Sequence, residues 1–173
     1  MIALNKVIHY AIKSHVAVNQ SYDDKPYSVH INAVAKVAIK FQHFIPLELK
    51  DEVIGAAYCH DMIEDTFETY NDILKYTKSY LLSEIVFAVT NEKGRNRSER
   101  ANDKYYKGIR KQQYASFIKL CDRIANVEYG KAYGSSMFKK YQKEQTNFMK
   151  LVIDDDLRDA YSEIINYLEE LLV

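Results

Sequence analysis

His60 and Asp61 stand side by side in AAYCHDMIEDT, and Glu64 and Asp65 follow one helical turn later. One imidazole and three carboxylates thus close an apolar segment, DEVIGAAYC. On a continuous helix, residues four apart share a face, so His60 would align with Glu64 and Asp61 with Asp65. Carboxylates gathered on one buried face are costly unless a cation sits among them.

Two more residues extend the set. His30 opens the apolar run HINAVAKVAI, and Asp122 interrupts FIKLCDRIANV. Lys119 precedes Asp122 by three residues, and Asn126 follows it by four on the same face. Two imidazoles and two carboxylates make a mixed nitrogen/oxygen site suited to Mn²⁺, Fe²⁺, Zn²⁺ or a similar ion. Such an ion lowers the pKa of water and permits hydrolytic attack near neutral pH. Glu64 and Asp65 exceed what ligation requires. They are expected to orient or deprotonate the water, or to protonate a leaving group. His9, His15 and His43 lack ligand-like neighbours, so one ion is expected rather than two.

Each member also has an ordinary structural explanation. Asp122 could pair with Lys119 or Arg123, and His30 could simply start a helix. Cys59 and Cys121 read as small buried hydrophobes. The combination is what points to a metal. Phosphate-binding groups are sought among Arg95, Arg97 and Arg100 in NEKGRNRSER, since guanidinium groups pair well with phosphate. A solvated loop neutralised by Glu92 and Glu99 is the alternative there. Lys25, before Pro26 and near His30, is a second cation candidate.

The elements that must position these residues are helical. Five glycines, two prolines and little alternating hydrophobicity in 173 residues predict an all-α chain. Helices are expected at about 3–18, through HINAVAKVAIKFQHF, at about 50–65, and at DILKYT, YLLSEIVFAVT and YASFIKLCDRIANVEYG. A final pair follows in SMFKKYQKEQTNFMKLVI and DLRDAYSEIINYLEELLV. NQSYDDKPYS and NEKGRNRSERAND read as loops, the second leading into another helix. The 24 basic and 24 acidic residues cancel, which argues against long nucleic acid as the main partner and leaves room for a small phosphorylated ligand. No apolar run approaches the ~18 residues of a membrane span, and no signal-peptide block opens the chain. Two distant cysteines suggest no disulfide framework and a reducing cytoplasm. The oligomeric state is left open.

The order His30, His60–Asp61, Asp122 resembles that of the HD-domain metal-dependent phosphohydrolases. AAYCHDMIEDT is similar to the AA-LHD-IEDT signature of RelA/SpoT-type alarmone (ppGpp) hydrolases. IKLCDRIANV is similar to their IKLADRLHNM, and KPYSVHINAVAKV to their PYI-HP-AVA. The resemblance covers roughly residues 3–130. It implies one HD-domain helical fold over 1–173, with a C-terminal helical pair at 134–173 outside the motifs. It further implies that His30, His60, Asp61 and Asp122 hold one divalent ion, Mn²⁺, and that Glu64 and Asp65 position the attacking water. Asn126 would lie against a nucleotide, from whose ribose 3′ position pyrophosphate would be removed. Two departures stand out. Ser21 and Tyr22 occupy the place of a basic pair that holds guanine, and Ile31 replaces a proline. Tyr22 is expected to stack on a base instead, which relaxes base selection. Other substrates, such as ordinary nucleotides, therefore stay open. So does a silent nucleotide-binding module, although the intact Glu64–Asp65 pair disfavours it.

Overall fold

The computed structural model describes residues 2–173, with the side chains of residues 97 and 98 outside that description. The first helix, α1 (Leu4–Ala17), turns Val7 and Ala11 inward at helical spacing. A hairpin follows, β1 (Ser21–Tyr22) against β2 (Lys25–Pro26), with Tyr22 opposite Lys25. It adds a small antiparallel pair to the stretch expected as loop. Its two-residue turn places Asp23 and Asp24 at φ 46° and 59°, the left-handed conformation that tight hairpins require and Asp tolerates. Helix α2 (Ser28–Lys40) buries Ile31, Val34, Ala35 and Ala38, with His30 in its first turn.

The single helix expected over 50–65 is two, α3 (Lys50–Cys59) and α4 (Met62–Asp65). His60 Nδ1 turns back onto Ala57 O at 2.9 Å, the carbonyl that a continuing helix would offer to Asp61. Asp61 adopts φ −99° and ψ 1°, the bridge conformation of turns and many active sites. The chain restarts as Asp65 N–H donates to Asp61 O. Helices α5 (Tyr70–Thr77) and α6 (Tyr80–Val89) follow, the first closed by a Thr69–Asp72 capping box and the second capped by Ser79. Gly55 lets α3 approach α6, since a Cβ there would fall 2.7 Å from Leu82.

The charged stretch after α6 holds one helical turn, α7 (Arg97–Arg100), before the Asn102-capped α8 (Asp103–Lys111). The longest helix, α9 (Ala115–Ala132), buries eleven residues and packs against α2, α3, α6 and α8. The C-terminal pair is three helices, α10 (Ser136–Val152), α11 (Asp155–Ala160) and α12 (Ser162–Leu171). The extra break falls at Tyr161, whose ring is anchored beside Phe44 and Phe117. One apolar core runs from Val7 to Leu168. Among the described residues, no helix is long and apolar enough to cross a membrane.

His15 is buried against Tyr27, with ring centroids 4.4 Å apart. Neither of its ring nitrogens has a hydrogen-bond partner among the described residues. Burial disfavours the charged form and lowers its pKa to about 4. An unfolded chain takes up this proton near pH 6.5. The stability gained by keeping His15 neutral is therefore complete above that value and is lost as pH falls toward 4. The loss is on the order of 3 kcal/mol. Chemical denaturation at pH 7 and 4.5 should show a smaller acid loss for His15→Phe than for wild type; equal losses would rule out His15 as the cause.

Candidate metal centre and active site

Three crossing segments bring the expected ligands together. The start of α2 supplies His30, the α3–α4 break supplies His60 and Asp61, and the middle of α9 supplies Asp122. His30 Nε2 lies 3.3 Å from His60 Nε2, 3.4 Å from Asp61 Oδ2 and 3.5 Å from Asp122 Oδ1. His60 Nε2 lies 2.9 Å from Asp61 Oδ2 and 3.9 Å from Asp122 Oδ1. Donor atoms of His30, His60 and Asp122 all fall within 4.8 Å of one another.

The donors fit a divalent cation. His60 Nδ1 donates to Ala57 O, which leaves the Nε2 lone pair facing the cluster when the ring is neutral. That lone pair meets a second imidazole and two carboxylates, so the cage calls for positive charge at its centre. The electrostatics carry the same signature. Burial opposes a charged His60, yet the Asp61 and Asp122 carboxylates overcome it and raise its pKa to about 9. Burial likewise opposes ionised Asp61, but the two histidines hold its carboxyl well below the usual range.

Asp122 is fixed from both sides. Its Oδ2 accepts from Lys119 Nζ at 2.9 Å and its Oδ1 from Asn126 Nδ2 at 2.6 Å. Beside it opens a cavity of about 230 Å³, lined by Asn91, Arg100, Tyr105, Lys119 and Arg123 among others.

A relative, the guanosine-3′,5′-bis(diphosphate) 3′-pyrophosphohydrolase MESH1 of Danio rerio, is 30% identical over 125 residues, which cover 72% of this chain and 67% of that protein. The chain belongs to the HD-domain phosphohydrolases. As a member of that family it is a metal-dependent phosphohydrolase. A solved structure described as a metazoan ortholog of SpoT that hydrolyzes ppGpp shares the fold, with a TM-score of 0.72. That match has 23% identity and covers 97% of this chain and 92% of the other. No family model matches the sequence.

The remaining candidates of this HD domain separate by position. Asp65 is half-buried beside the cage. Burial first, then the Asp61 and Glu64 carboxylates, raise its pKa above the usual carboxylate range. The α3–α4 break removes the helical alignment of His60 with Glu64. The Glu64 carboxylate is exposed and accepts from Asn91 N–H at 2.7 Å and from Asn91 Nδ2 at 2.8 Å. Arg100 lines the cavity, whereas Arg95 is 92% exposed, paired with Glu99 and absent from the cavity wall. The Arg97 side chain lies outside the described residues. Lys25 turns to Tyr129, with its Nζ 3.2 Å from the hydroxyl, and sits over the Tyr133 ring at 3.8 Å. Tyr22 covers His30 with its ring, at 4.9 Å between centroids and 22° between planes.

One contributor, Tyr27, is not among the residues expected from the sequence. Tyr27 donates its hydroxyl to Asp61 Oδ2. Its position three residues before His30, on one helical face, was the available signal. Lys119, expected as an ion-pair partner of Asp122, is both that and part of the cavity wall.

Proposed function

We propose that this HD-domain enzyme hydrolyses a small phosphorylated nucleotide of the ppGpp class and releases pyrophosphate from the ribose 3′ oxygen. One Mn²⁺ would be held by His30, His60, Asp61 and Asp122. The observation that carries this reading is the meeting of four donors, one of which, Asp122, lines a cavity bearing Arg100, Lys119 and Arg123. When bound, the ion acidifies water and draws charge from the phosphoryl oxygens. Asp65, with its raised pKa, is suited to accept the proton of the attacking water and return it to the ribose 3′ oxygen as the P–O bond breaks. Glu64 acts beside it by holding Asn91 at the cavity rim. Arg100 and Lys119 supply cationic contact to phosphate. Residues 1–173 would work as one HD unit, and the free, buried Cys59 and Cys121 fit a reducing cytoplasm.

The test is a panel of ppGpp, GTP, GDP and their adenine counterparts incubated with Mn²⁺-loaded protein. GDP and pyrophosphate from ppGpp are the expected products. Orthophosphate from an ordinary nucleotide, with ppGpp left intact, would overturn the assignment in favour of a second reading, an HD nucleotidase. Ser21 and Tyr22 favour keeping that reading, because they leave the pocket without a basic pair. For the same reason the guanine and adenine forms of the substrate should differ in kcat/KM by less than about 10³-fold. Larger ratios belong to sites that hydrogen-bond the base.

A further inference from the structure

We infer that Tyr22 is a positioning residue of the metal centre, acting through Asn126 on Asp122. This rests on the metal-centre reading above and deepens it. The Tyr22 hydroxyl donates to Asn126 Oδ1 at 2.8 Å. Asn126 Nδ2 donates both to the backbone oxygen of Asp122, at 2.9 Å, and to its Oδ1, at 2.6 Å. A carboxylate oxygen can only accept, so the amide orientation follows from chemistry.

A side-chain amide has two N–H donors. In Asn126 the Nδ2 contacts go to Asp122. Asn126, the residue expected to face the substrate, lines the cavity and also aims Asp122 Oδ1, which lies 3.5 Å from His30 Nε2. Tyr22 also touches the site a second way, by stacking its ring on His30. One side chain thereby orders two of the four donors.

The hairpin explains how Tyr22 is held there. Its turn residues Asp23 and Asp24 fold the strand back, and Lys25 opposite Tyr22 bonds to Tyr129 on α9. The Tyr22 ring meets the Tyr129 ring edge-on at 4.7 Å. Both strands are thus fastened to the helix that carries Asp122 and Asn126.

Partners that orient a metal ligand typically account for about 10–100-fold in metal affinity or activity. Tyr22→Phe keeps the ring and removes the hydroxyl. Titration calorimetry of metal-free protein with Mn²⁺, without nucleotide, should show affinity lowered about tenfold. The melting temperature of the metal-free protein should not change, and neither should KM for nucleotide at saturating Mn²⁺. The double variant Tyr22→Phe/Asn126→Ala should bind Mn²⁺ no more weakly than Asn126→Ala alone, because the two residues form one chain of contacts. Unchanged Mn²⁺ affinity in Tyr22→Phe would overturn the inference. So would a raised KM at saturating Mn²⁺, which would place the hydroxyl on the substrate. Wild-type protein that binds no Mn²⁺ would instead overturn the metal centre itself, a distinct result.

Discussion

Asp122→Ala should abolish tight binding of a divalent ion and lower turnover by more than about 10⁴-fold. Without the ion, attacking water keeps a pKa of about 15.7 instead of one near 7. The substitution also strands two neighbours. Lys119 Nζ and Asn126 Nδ2 both lose an acceptor, and Lys119 is only 20% exposed. A buried cation without its partner is destabilising, so Asp122→Asn is the cleaner companion. It keeps the shape and one acceptor while removing the charge. Both variants should lose Mn²⁺ binding by calorimetry, and Asp122→Asn should keep its helical circular dichroism. Retained turnover in either variant would mean that hydrolysis does not depend on this cage.

Asp65→Asn should lower kcat by about 10²–10⁴-fold, the range for loss of a positioned acid or base, while Mn²⁺ affinity stays near wild type. Glu64→Gln should cost less, on the order of tenfold, the scale of one charge-assisted hydrogen bond. Glu64 is tied to Asn91 at the cavity rim, whereas Asp65 sits beside Asp61 with its pKa raised. Comparing kcat of the two variants at saturating Mn²⁺ separates the roles. Equal losses would return Glu64 to the water, and an unaffected Asp65→Asn would remove the general base from the mechanism.

Much of the centre was legible because its residues contradict their surroundings. His60, Asp61 and Asp122 interrupt apolar runs, and a charge in that setting signals a partner before any fold is known. The all-α architecture followed similarly from helical spacing along α1, α2 and α9. The break after Cys59 was not legible. A helical wheel assumes that the helix continues, and the turn of His60 onto Ala57 O is a side-chain contact that periodicity does not encode. The contacts of Tyr22 were not legible for a related reason. Its partners His30 and Asn126 are distant in sequence, and only the docking of the hairpin on α9 turns its ring toward the metal centre. The C-terminal break at Tyr161 likewise depends on Phe44 and Phe117, more than forty residues away in each case.

Anomalous scattering from crystals soaked in Mn²⁺ locates the ion directly. A single peak is expected between α2, the α3–α4 break and α9, with His30 Nε2, His60 Nε2, Asp61 Oδ2 and Asp122 Oδ1 each drawn to about 2 Å from it. A peak elsewhere, or one that leaves any of these four atoms beyond ligand distance, would contradict the metal centre on which the proposed hydrolysis rests.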